Sequence, residues 1–242
     1  MPELPDITSY LVALRPRIVG QPLEKIAVRS PFLLRTVDPP LESLIGEPVL
    51  DLSRMGKRIV WHFEDDRFLV FHLMIAGRFH WKKPGVKPAG KNDLAAFAFP
   101  MGTLMLTEAS QKKRAALYVL RGLAALRAQD RGGLEPLDCT FEEFRAALTR
   151  ENHTLKRSLA DPRLFSGIGN AYSDEILHAA RISPFAIAKS LDPEAVRVLY
   201  DSIHSVLVAA VTEAVGKQPN ELKDAKRSTM RVHGRTGQEC PV

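Results

Sequence analysis

The chain begins Met1-Pro2-Glu3, an order of residues that allows amine chemistry. Methionine aminopeptidase removes Met before a small residue such as proline, which leaves Pro2 as a free secondary amine. An α-amino group has a pKa of about 7.7–8.0, so a fraction is unprotonated and nucleophilic at neutral pH. Attack on an aldehyde-like sugar carbon gives an iminium ion, and Glu3 could carry protons beside it. Alternatively, proline is simply a common second residue and Glu3 favours a helix N-terminus.

A second candidate is the segment SGIGNAYSDE at residues 166–175. Its two glycines permit a tight turn with exposed N–H groups, and Asn170 is placed to cap the helix that follows. A helix N-terminus attracts anions, and a DNA phosphate is a natural occupant. The alternative is an ordinary glycine turn with an asparagine cap, in which Asp174 and Glu175 only interact with the helix dipole.

Basic residues form several short clusters. In Arg54-Met55-Gly56-Lys57-Arg58, three cations surround a glycine just before a predicted strand, and Lys57 is the central candidate for a phosphate contact. Lys156 lies in a smaller cluster with Arg157. The alternative is that such runs are solvated or protect a sheet edge.

The two cysteines, Cys139 and Cys240, are too few for a disulfide framework and fit a reducing cytoplasm. Tetrahedral zinc requires four ligands, and the sequence ends directly after Cys240-Pro241-Val242. We therefore expect no cofactor within these 242 residues. Cys240 becomes a zinc ligand only if a longer chain continues. The sequence also contains no P-loop, no GxSxG elbow and no Rossmann fingerprint.

Length and composition predict a globular protein of one large or two modest domains. Of the 242 residues, 45% are apolar and 26% charged, which excludes wholesale disorder. No apolar run reaches the roughly 18 residues of a membrane span, and the first residues are acidic where a signal peptide is basic. The net charge of +6 favours an anionic partner, nucleic acid first.

The hydrophobic pattern changes twice along the chain. Apolar residues at helical spacing run from Ile7 to Ile18, with Gly20 placed to end the helix. Short β-branched and aromatic runs then predict an antiparallel sandwich or barrel as far as about Leu120. After a hinge near residues 130–133 the periodicity is helical, with Thr140 as an N-cap and a long helix starting near Pro193.

Together these segments resemble the family of formamidopyrimidine-DNA glycosylases and endonuclease VIII, and in particular its formamidopyrimidine-type branch. The resemblance covers nearly the whole chain in order. It rests on Pro2-Glu3-Leu4-Pro5, Gly56-Lys57, His72-Leu73 with Gly77 five residues on, Gly133-Leu134-Glu135-Pro136-Leu137, and Asp161 through Glu175.

The resemblance implies an α+β multidomain fold. Residues 1–129 would form an N-terminal helix and antiparallel β-sandwich, residues 130–228 an α-helical domain with a helix-two-turn-helix motif, and residues 229–242 the start of an incomplete zinc ribbon. The implied function is a base-excision-repair glycosylase with AP lyase activity, which flips the target nucleotide out of the duplex. Its partner would be double-stranded DNA containing damaged bases or abasic sites, bound by a cytoplasmic, nucleoid-associated monomer.

The resemblance also implies residue roles. Pro2 would attack C1′, Glu3 would act as acid and base, and Lys57 would complete the catalytic group. DNA contacts would come from Asn170, Gly169, His72 and Lys156, with Ile75 or Met74 filling the void left by the flipped base. Asp6 and Glu175 are possible further contributors to the site.

The chain departs from the family pattern at several positions. Asp6 replaces the usual Glu, and Met74-Ile75 replaces the usual Gly-Met. The loop Asp-Pro-Arg-Arg-Phe-Gly, which supplies other void-filling residues, is absent, and residues 109–114 read ASQKKR. These changes affect the residues that recognise the base opposite the lesion and those that determine the preference for 8-oxoguanine. The incomplete ribbon indicates either a longer chain cut short or a natural truncation.

Two other classes of protein fit part of this pattern. One is a non-catalytic nucleic-acid-binding protein that has kept the fold and the charge but lost the chemistry. Pro2 beside Glu3 opposes it, because a binder has no need of that amine. The other is an RNA-associated protein, since a helix-two-turn-helix can also hold an RNA backbone.

Overall fold

The computed structural model describes residues 1–217, 219–221 and 229–241, which form two compact units. The first unit contains Met1–Pro2, Asp6–Asp130 and the described residues between 215 and 221; the second contains Glu3–Pro5, Arg131–Ala214 and residues 229–241. The division into domains 1–129, 130–228 and 229–242 stays a prediction, and its boundary at residue 228 lies outside the described residues.

The first unit consists of helix α1, eight strands and the short helix α2. Helix α1 covers Leu4–Ile18 and α2 covers Leu123–Arg127. The strands are β1 Lys25–Val28, β2 Asp51–Met55, β3 Arg58–Phe63, β4 Arg67–His72, β5 Gly77–Lys82, β6 Asp93–Phe99, β7 Gly102–Glu108 and β8 Ala116–Arg121. They form two antiparallel sheets in the orders β1-β6-β7-β5 and β2-β3-β4-β8.

Aromatic side chains join the two sheets face to face. Trp61 of β3 is fully buried, with its ring centroid 5.5 Å from that of Phe97 and 5.6 Å from that of Phe99, both in the other sheet. Phe71 of β4 packs in the same way, 5.2 Å from Phe79. Such offset and edge-on contacts add to the stabilisation from burial alone. The predicted antiparallel β-sandwich is confirmed.

Helix α1 buries the face that its apolar spacing predicts. Ile7, Tyr10, Leu14 and Ile18 are all at most 1% exposed. The helix ends at Ile18, two residues before the predicted stop at Gly20. Gly20 has a φ of +77°, a value that glycine adopts without steric cost, and turns the chain toward β1.

The second unit is helical, as predicted. Its helices are α3 Phe141–Thr149, α4 Leu155–Ala160, α5 Asn170–Ala180 and α6 Pro193–Ala214. Thr140 caps α3 in a reciprocal capping box with Glu143, so the predicted cap is confirmed. Helix α4, the turns over residues 161–169 and α5 form the helix-two-turn-helix.

Helix α6 is the one described helix with the length and apolar content of a membrane span. The expectation that no continuous apolar run has that length is not contradicted, because charged residues such as Arg197 and Asp201 interrupt the apolar sequence of α6. One face of α6, with Val196, Leu199, Ile203 and Leu207, is buried in the core of the helical unit. A core helix has this composition for the same reason as a membrane helix, since both exclude water.

Candidate functional site

Glu3 lies at the start of helix α5, where its carboxylate accepts three backbone hydrogen bonds. The donors are the N–H groups of Gly169, Ala171 and Tyr172, at 2.7, 3.0 and 3.1 Å. Glu3 is only 1% exposed, and the N–H of Leu4 donates to the carbonyl of Gly167 at 2.9 Å. The first N–H groups of a helix have no partner within the helix, so a buried anion there satisfies them.

This arrangement corrects two expectations about the glycine-rich segment. Gly169, not Asn170, is the N-cap residue, and Asn170 is the first residue of the helix. The N–H groups predicted to bind a DNA phosphate are occupied by the chain's own Glu3. Asn170 is exposed, so its side chain is at the surface beside this anion site.

Pro2 directly precedes Glu3 and follows the exposed Met1. The fixed position of Glu3 therefore also restricts where the amine of Pro2 can lie, since one peptide bond joins them. Removal of Met1 is required before the Pro2 nitrogen becomes a free amine.

Lys57 and His72 lie at the same end of the sheet β2-β3-β4-β8. Gly56, with φ +58°, and Lys57 form the turn between β2 and β3. Arg58, the next residue, is paired with His72 in the register of β3 and β4. Arg54 and Arg58 donate to the backbone carbonyls of Gly56 and Gln129, at 3.0 and 2.5 Å. The two arginines thus bind the protein's own backbone on either side of Lys57.

The turn that follows β4 presents Ile75 to solvent. Ile75 is 57% exposed, whereas the preceding Leu73 is buried. Met74 has a φ of +53°, and the N–H of Gly77 donates to the Leu73 carbonyl at 2.9 Å. A Cβ atom on Gly77 would lie 2.2 Å from that oxygen, so only glycine permits this turn. Of the two predicted void-filling residues, Ile75 is the more exposed.

Residues 109–115 form a loop beside the Ile75 turn, because both of its ends pair with the ends of that turn. Glu108 is paired with Gly77, and Ala116 is paired with His72. The Glu108 carboxylate is 1% exposed and accepts from the N–H groups of Arg114 and Ala115, at 2.8 and 3.0 Å. It also accepts from the hydroxyl of Ser110 at 2.9 Å.

The Glu108 interactions give the unusual loop a defined internal structure. The ammonium group of Lys113 donates to the Glu108 carbonyl and, at 3.3 Å, to Asn92. Gln111 and Lys112 are exposed at the tip. The sequence shows that the loop differs from the family pattern, but it does not indicate the role of Glu108, because an acid just before a run of small and polar residues is a common pattern.

Asp6 lies in the first turn of α1, near the buried phenol of Tyr10. Burial raises the pKa of Tyr10 to about 12, and the hydroxyl accepts from the N–H of Phe79 at 3.4 Å. Arg78 partly opposes that rise. Tyr10 therefore remains a neutral phenol across the physiological pH range.

Lys156 and Glu175 are placed by contacts within the helical unit. The ammonium group of Lys156 lies 2.7 Å from Asp174, whose other oxygen lies 2.8 Å from Nδ1 of His233. Glu175 is 7% exposed and accepts from the N–H groups of residues 231, 232 and 233. Glu175 thus contacts the C-terminal residues of the chain.

The side chains around Cys240 do not fit a zinc site. Cys240 is exposed, and its sulfur lies 3.6 Å from Nε2 of His178. Zinc in a structural site takes four ligands. Among the described residues there is no group of three or more His, Cys, Asp or Glu side chains that could hold a metal ion. Cys139, the other cysteine, is buried and forms no disulfide.

Two family models match the chain. The model described as the formamidopyrimidine-DNA glycosylase N-terminal domain matches residues 1–115, and the formamidopyrimidine-DNA glycosylase H2TH domain matches residues 133–220. The chain is similar to curated proteins over almost its full length. It is 34% identical over 254 residues to the formamidopyrimidine-DNA glycosylase of Heliobacterium modesticaldum, covering 99% of this chain and 91% of the relative.

A second relative, from Thermus thermophilus, is 32% identical and covers 100% of this chain and 90% of the relative. Among solved structures, the chain is similar to a Lactococcus lactis formamidopyrimidine-DNA glycosylase bound non-covalently to AP-site DNA. The TM-score is 0.85 at 27% identity, over 99% of this chain and 90% of that one.

Another structure of the Lactococcus lactis enzyme, in complex with DNA containing an oxidised pyrimidine, gives a TM-score of 0.87 at 26% identity. It covers 99% of this chain and 91% of that one. Both matched family models, the relatives and the shared fold agree with one another. The chain therefore belongs to the formamidopyrimidine-DNA glycosylase family.

Proposed function

We propose that Pro2 is the nucleophile with which this chain excises oxidised bases and cuts the resulting abasic site. As a member of its family, the chain is a DNA glycosylase of base excision repair with AP lyase activity. After Met1 is removed, the Pro2 nitrogen would form a bond to C1′ and the bond from C1′ to the base would break. The attacking amine then loses its proton and the bond from C1′ to the ring oxygen O4′ breaks, with O4′ taking up a proton, which gives an iminium ion. The iminium ion makes the C2′ proton removable, which drives β- and then δ-elimination of the two phosphates.

The fixed carboxylate of Glu3 is the single observation that carries this proposal. Both of its oxygens are held by N–H donors, so it cannot move far from the adjacent Pro2. A negative charge fixed beside the nitrogen stabilises the iminium cation, and the same carboxylate can exchange protons with the departing base and the sugar. Preorganisation of this kind lowers the barrier because no group has to reorient during the reaction.

DNA contacts are assigned to both units. Lys57 and His72 share one end of a sheet, and Lys57 would complete the catalytic group by binding a phosphate of the flipped nucleotide. Asn170, at the exposed start of α5, and Lys156 would bind phosphates from the helical unit, whereas the N–H of Gly169 already donates to Glu3. We further propose that the chain acts as a monomer on the nucleoid in the cytoplasm.

Ile75 is the proposed void-filling residue. It is a branched apolar side chain, exposed on a turn whose backbone is fixed by Gly77. Met74 is less exposed and its backbone conformation turns the chain rather than extending it. Asp6 would act indirectly, through the first turn of α1. Gln111 and Lys112, at the tip of the adjacent loop, are the polar side chains available to contact the opposite base.

Borohydride trapping on a duplex with one abasic site tests the nucleophile. We expect a stable protein–DNA adduct with the wild-type chain whose Met1 has been removed, as verified by mass spectrometry. A form blocked at its N-terminus should give no N-terminal adduct, and Pro2→Gly, which replaces the secondary amine by a primary amine, should give a lower yield of adduct. Asp201→Asn, an exposed substitution on α6, is the matched control and should trap as the wild type does.

The outcome that would overturn the assignment is strand cleavage or trapping that persists at full yield in the blocked form. No adduct and no cleavage with correctly processed protein would instead indicate a non-catalytic binder. Binding of abasic duplex and of structured RNA, compared at the same salt concentration, then separates a DNA binder from an RNA-associated protein.

A further inference from the structure

The C-terminal arm, residues 229–241, has almost no regular secondary structure of its own. Its described residues form turns and bends, with no strand. Backbone N–H groups that lie outside helices and sheets still require partners. In the arm, the N–H groups of Arg235 and Gln238 donate to carbonyls of the arm itself, and three others donate to a side chain of helix α5.

Glu175 binds three consecutive N–H groups of the arm. Its carboxylate accepts from Arg231, Val232 and His233 at 2.8, 3.0 and 2.8 Å. Successive N–H groups that converge on one anion form a compact and favourable arrangement. Hydrogen bonds to an ionised group are about twice as strong as those between neutral groups. Because Glu175 is 7% exposed, water competes poorly for these donors.

Asp174 adds a second attachment on the same helix. Its two oxygens contact Nδ1 of His233 in the arm and the ammonium group of Lys156 in α4, at 2.8 and 2.7 Å. One turn further along α5, His178 lies 3.6 Å from the sulfur of Cys240. Residues four apart lie on one face of a helix, so this face of α5 contacts the arm along its length.

The arm held in this way is cationic. Between residues 229 and 241 it carries Arg231, Arg235 and His233 against a single acid, Glu239. Both arginines are exposed. The ion pair with Asp174 keeps Lys156 next to His233, so charges from α4 and from the arm are brought together on one surface of the helical unit.

We propose that Glu175 and Asp174 attach the arm to helix α5 without a metal ion and so position Arg231, His233 and Arg235 for the DNA backbone. Glu175 is then a positioning residue: it contacts no substrate, and its effect passes through the cations of the arm. The DNA part of the inference rests on the proposed function, whereas the attachment itself does not. The donors to Glu175 and the partners of Asp174 are protein groups, and the described residues contain no cluster of three or more His, Cys, Asp or Glu side chains that could hold a metal ion instead.

The first test measures amide hydrogen exchange of residues 231–233 in the full chain, with and without excess EDTA. We expect the wild-type amides to stay protected in EDTA. Glu175→Gln should raise their exchange by about tenfold or more, because a charged acceptor is lost from three hydrogen bonds. Asp201→Asn removes the same charge from an exposed position on α6 and should change nothing. An increase in exchange when EDTA is added to the wild type would show a metal-held arm and overturn the inference.

The second test measures affinity for abasic duplex DNA over a range of salt concentrations. Each phosphate contact contributes about 0.9 to the slope of log affinity against log salt. Glu175→Gln should therefore lower the slope by about 1–2, as should Arg231→Ala combined with Arg235→Ala. A purely structural role would leave the slope unchanged. An unchanged slope in the double arginine variant would contradict the proposed contact between the arm and the DNA backbone.

Failure of the inference and failure of the proposed function remain distinguishable. If the wild type neither traps nor cuts abasic DNA, the proposed function fails, while the exchange test of Glu175 still stands. If the wild type traps DNA but Glu175→Gln changes neither exchange nor slope, only the inference fails. Should Glu175→Gln not fold, Asp174→Asn and His233→Ala change partly exposed residues and must each raise exchange in the arm.

Discussion

Glu3 and Glu175 are two buried carboxylates of the helical unit, and each accepts three backbone N–H groups. The hydrogen bonds are alike in length, 2.7–3.1 Å for Glu3 and 2.8–3.0 Å for Glu175. The donors differ. Those of Glu3 belong to the first turn of a regular helix, whereas those of Glu175 belong to an arm with no strand or extended helix among its described residues.

The difference shows two opposite uses of one interaction. Helix α5 is held by its own hydrogen bonds and by buried residues such as Ile176 and Leu177, so its first turn exists independently and positions Glu3. The arm lacks such support, and there the carboxylate positions the backbone. A fixed acid suits catalysis, and a fixed backbone suits presentation of the arginines that the arm carries.

Of the variants predicted here, Glu3→Gln should have the largest effect, a loss of base excision. It also tests whether helix α5 positions Glu3 or Glu3 positions the helix. We expect base excision to fall by about 10²–10⁴ in single-turnover assays, because the acid and base function is lost. Hydrogen exchange in helix α5 should remain that of the wild type, since the helix does not depend on the carboxylate. Loss of exchange protection throughout α5 would break the contrast, because Glu3 would then organise its donors as Glu175 does.

Glu108 in the first unit extends the comparison to a third buried carboxylate. It accepts two N–H groups and one hydroxyl from the loop at residues 109–115, which resembles the arm in lacking regular structure. Glu108→Ala leaves those buried donors unpaired and should lower the free energy of unfolding by about 1–3 kcal/mol, measured by urea denaturation. The exposed Glu24→Gln serves as control, and equal stability of both variants would count against the role of Glu108.

The capping box of α3 provides an exposed version of the same interaction. The carboxylate of Glu143 accepts from the N–H of Thr140 at 2.8 Å, and this hydrogen bond lowers the pKa of Glu143. Thr140→Ala should lower the free energy of unfolding, measured by urea denaturation, by about 1 kcal/mol. Thr149→Ala, the same change at the other end of the helix, should lower the free energy of unfolding by less. A larger cost at residue 149 would contradict the assignment of the cap.

Substitution of Asp161 should have the smallest effect on the free energy of unfolding, and this effect should depend on pH. The Arg163 guanidinium and the N–H of Arg163 lower the pKa of Asp161. The carboxylate form is favoured in the folded state, so the stabilisation is present above about pH 4, the ordinary pKa of aspartate, and is lost as the pH falls further. In urea denaturation at a series of pH values, Asp161→Asn should cost at most about 1 kcal/mol at neutral pH and nothing in acid. A difference that grows in acid would contradict this sign.

Many helices and strands can be predicted from the sequence, because caps and hydrophobic patterns depend on residues that are close together in the chain. Thr140 directly before apolar residues at helical spacing predicts a capped helix, and the β-branched and aromatic run around Trp61 predicts a strand. The sites of Glu3 and Glu175 could not be predicted in this way. Glu3 meets its donors 166–169 residues away, and Glu175 meets its donors 56–58 residues away. No periodicity connects such partners, and only the tertiary fold brings them together.

The resemblance to the family points to Pro2, Glu3 and Lys57 as catalytic residues, which stays a prediction, whereas the interpretation of the α5 N-terminus as a phosphate site did not anticipate that Glu3 binds there. Sequence reasoning identified the N–H donors correctly but assumed that an anion must come from outside the protein. A buried acid of the chain itself is the better occupant, since it is permanently present and needs no association step.

Trp61 and Trp81 are the two tryptophans of the chain, and both belong to strands of the first unit. Fluorescence excited selectively at tryptophan therefore reports on that unit, with Trp61 enclosed by phenylalanine rings in the folded state. Far-ultraviolet circular dichroism is dominated by the helices, most of which lie in the second unit. The molecule thus carries two independent optical probes, and coincident or separate melting curves would reveal whether its halves unfold together.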